Sequence, residues 1–244
     1  MLIINAATSL HELVNSMSER RYILFGLIAL ICVCTLICGS MASSIQNESN
    51  AFIEAGYQAE DFSLNCDDLG LGEIFSCMRI INASPALENL SPQLPIVECL
   101  YLSEDYNSQE GILREGCMMP LFRKYIIKQG DEFKLIESIE DFRSIFAPVE
   151  TKEEALAFGV ALTSSLPRYD TSVPEDYYQV SSSIRPTYAK ETEGGYLVHL
   201  FESELCGCGS HPYYAIDYLV TRDGNVTELS REEVFNSTMQ MCVD

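Results

Sequence analysis

Residues 196–229, YLVHLFESELCGCGSHPYYAIDYLVTRDGNVTEL, decide the fold. Tyr196 to Ser203 and Tyr213 to Thr221 are rich in β-branched and aromatic residues, separated by a nine-residue connection. Arg222-Asp223-Gly224 turns the chain into a third run, Asn225 to Leu229. A period of two puts Tyr214, Ile216, Tyr218 and Val220 on one face, with Asp217 and Thr221 on the other, which predicts an antiparallel sheet with one buried face. Upstream, Tyr178 to Lys190 reads as a further strand, entering the meander through Glu193-Gly194-Gly195.

Three helix starts carry one signature. Ser138 precedes Asp141, Thr151 precedes Glu154 and Ser230 precedes Glu233, each placing a hydroxyl three residues before a carboxylate that can reach back to the cap amide. The first helix must stop at Ala147, before Pro148. The second, Lys152 to Ser165, sets Ala155, Phe158, Gly159 and Leu162 on one face, fit to pack on the sheet. The expected fold is therefore α+β, with a C-terminal antiparallel meander of three to four strands and a packed helix over residues 148–244. It is similar in architecture only to cystatin-like and PepSY-like modules, and no family motif accompanies it.

Residues 61–147 read as a loop-rich, cysteine-containing segment. Short apolar pieces alternate with the proline-bearing stretch Ser84 to Pro95, and only Ile96 to Leu102 stands out as a strand. A hairpin follows at 121–136, where Gln129-Gly130-Asp131 turns between two β-rich runs.

Before all of this lies Tyr22 to Gly39, eighteen uncharged and mostly apolar residues. As a helix it spans roughly 27 Å, near the bilayer hydrocarbon thickness. Arg20 and Arg21 precede it and the next base is Arg79, so the positive-inside rule keeps residues 1–21 in the cytoplasm and sends the rest outside. Retention makes the run a membrane anchor; cleavage after Ala42, in Ser40-Met41-Ala42, makes it a signal and the product secreted. Met17 reads as a natural start, and residues 43–60 as a polar stalk.

Composition describes the exported part. Beyond the leader 34 acids face 13 bases, the whole −21 net charge of the chain. That field excludes nucleic acid and favours cations or a basic protein partner. Seven cysteines lie there: Cys66, Cys77, Cys99, Cys117, Cys206, Cys208 and Cys242. An exterior permits disulfides, and pairing Cys66 with Cys77 and Cys99 with Cys117 closes short loops. Sequons at Asn47, Asn225 and Asn236 are glycosylation candidates; those at Asn82 and Asn89 are followed by Pro85 and Pro92 and are poorer acceptors.

Cys206-Gly207-Cys208-Gly209-Ser210-His211 is the one local constellation with chemical content. Three readings are open. The cysteines bridge to distant partners such as Cys242, Cys99 or Cys117; or they close on each other as a redox element assisted by His211; or, with His211, they offer soft donors to copper or zinc. His199, alternating with Leu197 and Phe201, reads as a packed strand residue. No nucleophile elbow appears, and the acids around Gly70 miss the calcium-loop spacing because Leu69 and Leu71 fall where oxygens are needed. The expected function is a non-enzymatic, membrane-tethered or secreted acidic binding module. The rival is an extracytoplasmic thiol-redox or metal-handling protein.

Overall fold

The hairpin connections and the alternation of apolar side chains produce two antiparallel sheets around a short, almost wholly buried helix. The computed structural model describes residues 52, 58–60, 63–65, 70–102, 111–116, 120–204, 206–239 and 241–243. The leader, the run 22–39, most of the stalk, Asn47, Cys66 and Cys117 lie outside the described residues. Among the described residues no helix is long and apolar enough to cross a membrane.

The first sheet comprises β1 (Gln58–Glu60), β2 (Ser63–Asn65), β3 (Arg79–Asn82), β4 (Ile96–Leu102), β5 (Leu113–Glu115), β6 (Leu121–Gln129) and β7 (Glu132–Ile136). Its order is β1-β2-β3-β4-β6-β5, and β7 shares the outer edge of β6 with β5. The one-turn helix α1 (Leu71–Ile74) and a 3-10 turn, Pro85–Asn89, interrupt it. The expected loop-rich segment is thus corrected to a sheet around the expected strand and hairpin. Its added strands are three or four residues long, too short to display a period, while β4 itself is buried on both faces and does not alternate.

Helix α2 (Ile139–Phe146) is capped by Ser138, whose hydroxyl accepts from the Asp141 amide, and it ends at Ala147. Helix α3 (Lys152–Leu162) begins with a full capping box between Thr151 and Glu154. After its first turn nearly every side chain is buried, because it meets hydrophobic groups on both sides. The Tyr125 hydroxyl of β6 donates to the Ala161 carbonyl at 2.9 Å, while on the other side Gly159 lies so close to the strand Gly195–Ser203 that an added Cβ would stand 3.1 Å from Leu200 Cδ1. A glycine there lets helix and strand approach.

The second sheet comprises β8 (Tyr177–Gln179), β9 (Tyr188–Thr192), β10 (Gly195–Ser203), β12 (Pro212–Val220) and β13 (Val226–Ser237), in the order β8-β13-β12-β10-β9. A separate two-stranded ribbon pairs β11 (Gly207–Gly209) with β14 (Met241–Val243). The run 178–190 therefore forms two short strands, with Ser181 to Pro186 between them, because a serine triplet and a proline interrupt it. The helix expected after Ser230 is also corrected: β13 continues through it to Ser237.

One hydrophobic cluster joins Leu87, Tyr125, Ile127 and Ile136 of the first half to Phe142, Phe146 and Phe158 of the helices and to Val198, Leu200, Ile216 and Val220 of the second sheet. The core is continuous across residue 148. Phe142 packs its ring edge-on to Phe158 at 5.3 Å. A smaller cluster of Leu71, Ile80, Val97, Cys99 and Ile126 fills the other side of the first sheet. There Cys77 and Cys99 form a disulfide. Pairing of β3 with β4 sets Met78 beside Leu100 and so carries Cys77 to Cys99, overriding the expected bridges to Cys66 and Cys117. Cys208 bonds Cys242. Closing loops of 22 and 34 residues, these bridges stabilise the fold by roughly 3–4 kcal/mol each in the chain-entropy account.

Candidate functional site

The connection from β10 to β12 is drawn shut by its own backbone, the Glu204 amide donating to the Pro212 carbonyl at 3.0 Å. Inside it Gly207 takes φ 78°, a left-handed conformation that favours glycine, and the chain runs out as β11. Cys208 stands directly opposite Cys242 in the ribbon, and the two are bridged. Cys206 is disulfide-bonded as well. His211 is buried, its carbonyl accepting from the Ser237 amide at 3.2 Å. The structure thus places Cys206, Cys208 and His211 on one loop, but the bridge to Cys242 removes the Cys206–Cys208 ring on which a local redox couple depends. A copper or zinc site here needs thiolates, and both sulfurs are committed to disulfides. Among the described residues no three His, Cys, Asp or Glu side chains converge in a way that could hold a metal ion.

A second constellation lies on the outer face of the five-stranded sheet, where β10 and β12 pair His199 with Asp217. The Asp217 carboxylate lies 2.6 Å from His199 Nδ1, accepts from the Ser230 hydroxyl at 3.3 Å and from the Tyr188 hydroxyl at 3.5 Å, and stands 3.7 Å from Arg185. The His199 ring is stacked on Tyr188 and meets Phe201 edge-on, while the Arg185 guanidinium lies over the Tyr188 ring at 5.2 Å. Burial raises the Tyr188 phenol above its ordinary range, and the neighbouring Asp217 charge raises it further. His199 Nε2 is buried without a hydrogen-bond partner among the described residues. Ser230 addresses the carboxylate rather than the imidazole, so these residues are not the hydroxyl–imidazole pair that nucleophilic catalysis requires. The network holds β9, β10, β12 and β13 in register. Its sequence signal is the pairing of Tyr196–Ser203 against Tyr213–Thr221, which puts positions 199 and 217 side by side once the hairpin is closed.

The same face carries a strap, residues 166–187. Leu166 exchanges backbone hydrogen bonds with Phe201, the chain crosses to pair Tyr177–Gln179 with the far strand β13, and it returns to join β9. Tyr177, Ile184 and Tyr213 pack against Phe201, Ala215, Val234 and Phe235 beneath it. The Arg168 guanidinium sits over the rings of Tyr213 and Phe235, at 5.6 and 5.2 Å, and donates to the Ser172 carbonyl. On the strap, Leu166, Tyr169, Val173, Tyr178 and Val180 remain exposed, Tyr169 at 66%. Hydrogen bonds from the Ser172 amide and hydroxyl hold the Asp170 carboxyl below its usual range, so it stays ionised beside them.

On the opposite face, at the uncovered end of the sheet, Arg231 is paired with Glu228 and Glu202 and lies over Tyr214. Burial, with Glu204 and Glu233 nearby, raises the Tyr214 phenol. Of the sequons, Asn225 is exposed in the β12–β13 turn, its amide donating to Asp223 at 2.7 Å. Asn236 is half-buried between β12 and β8, its amide donating to Glu233 at 2.6 Å. No family model, curated protein or solved structure matches the chain.

Proposed function

We propose that the chain is an acidic binding module working outside the cytoplasm, tethered by residues 22–39 or secreted after their removal, with the strap as its contact surface. One observation carries this reading. Of the eleven large apolar side chains that stand exposed among the described residues, five fall on the strap between Leu166 and Val180. Exposed apolar groups held on a braced support are a feature of surfaces that meet another molecule. The Cys77–Cys99 and Cys208–Cys242 disulfides fit an oxidising compartment. The −21 charge opposes nucleic acid and anionic lipid headgroups, and so favours a protein partner with a basic face. A photo-crosslinking residue at position 169, compared with one at 190 on the exposed edge strand, tests this in the native envelope or medium. Adducts at 169 alone, weakened by raised salt, support the module; equal yields at both positions, or none at 169, overturn it.

A further inference from the structure

We infer that the Cys208–Cys242 disulfide is an exchangeable clasp, a modification site for a dithiol of the thiol–disulfide oxidoreductase class, whereas Cys77–Cys99 is permanent. The two bridges differ in their surroundings. Cys99 is fully buried in β4, and Cys77 is packed against the cluster around it. Cys208 and Cys242 are both exposed. They join two strands of only three residues each, a ribbon outside both larger sheets. An isolated two-stranded ribbon is marginal in water, so the covalent bond carries the pairing. Attack on a disulfide needs access to one sulfur, which an exposed bridge offers and a buried one denies.

The chemistry balances with the dithiol as reductant. One of its thiolates attacks Cys208 Sγ or Cys242 Sγ and breaks the bond between them, giving a mixed disulfide and a cysteine thiolate that takes a proton from water. Its second thiolate then displaces the mixed disulfide, leaving two cysteine thiols and an oxidised reductant. In the native state the conformational consequence is confined to the end of the chain, while the unfolded chain regains the freedom that closing the 34-residue loop denies it. Upstream, Thr238 donates through its amide and its hydroxyl to the Asp176 carbonyl, so β14 is freed while β12 and β13 stay in place.

The site is distinct from the strap. Treating the native full chain with dithiothreitol, blocking new thiols with iodoacetamide and mapping peptides by mass spectrometry tests it. Cys208 and Cys242 are expected to label about tenfold or more faster than Cys77 and Cys99. Amide protection should fall in β11 and β14 and hold in β4 and β12. Equal labelling rates, or labelling of Cys208 and Cys242 only after denaturant, overturn the proposal. A Cys208→Ser, Cys242→Ser double variant provides the second reading: it should show the protection pattern of the reduced protein, and loss of protection in β12 would make the bridge integral to the core and the proposal wrong.

Discussion

At the scale of single residues, Asp217 gathers several polar partners on the outer face of the second sheet. It faces one imidazole, two hydroxyls and a guanidinium at once, and the imidazole is 5% exposed. Removing an acceptor from a buried donor costs the desolvation of the group left behind, about 1–3 kcal/mol. Asp217→Ala is therefore expected to lower stability by that amount, read from the denaturant midpoint, with Asp217→Asn retaining part of it because the amide oxygen still accepts from Nδ1. A loss within about 0.5 kcal/mol for Asp217→Ala, the range of ordinary surface changes, would show that the network is ornamental. In the sequence, His199 was legible as a packed strand residue, but its partner was not. A period-two pattern assigns faces within one strand, and only the register between strands, fixed by how the β10–β12 connection closes, brings position 217 to position 199.

At the scale of elements, one local signature met two fates. Ser138 and Thr151 cap helices as their spacing indicates, whereas Ser230, with Glu233 at the same spacing, lies inside β13. Magnitudes explain the difference. A cap is worth about 1 kcal/mol, while burying Val234 and Phe235 under the strap gains about 1.5–3 kcal/mol each, before the strand pairing with β12 is counted. Tertiary burial therefore decides, and a three-residue motif cannot report it. Thr151→Ala is expected to cost about 1 kcal/mol, within a range of about 0.5–2, in chemical denaturation, and Ser230→Ala clearly less, since its hydroxyl only joins the edge of the Asp217 network. The reverse order would mean that the helical signature at Ser230 has energetic content. The first sheet was hidden for a different reason. Hairpin β6–β7 and strand β4 are long enough to read, but β1, β2, β3 and β5 are only three or four residues each, and so short a run carries no period. Disulfide pairing was equally illegible, because it follows the β3–β4 register and the β11–β14 ribbon rather than sequence distance.

At the scale of the whole molecule, the sequence suggested a loop-rich region joined to a separate α+β domain near residue 148, yet hydrophobic contacts do not respect that boundary. Ala51–Asp244 forms one compact unit, and α3 is its axis: Phe158 is fully buried in the cluster that draws Tyr125 and Ile136 from the first sheet and Val198 and Ile216 from the second. A helix hydrophobic on nearly all sides is the mark of an element between two layers. Its sequence, short and alanine-rich, shows one clear apolar face and conceals the other, because two of the buried residues there, Ala157 and Ala161, are small enough to read as neutral. If both sheets depend on this helix they must unfold together. Phe158→Ala is expected to cost about 3–5 kcal/mol, the usual range for a large aromatic removed from a core. Hydrogen exchange should then report the loss on both sides of residue 148, with β6 and β12 losing protection by similar factors. Loss in β12 with β6 unchanged would show two independently stable layers sharing only a surface, and the strap and its partner would then depend on the second layer alone.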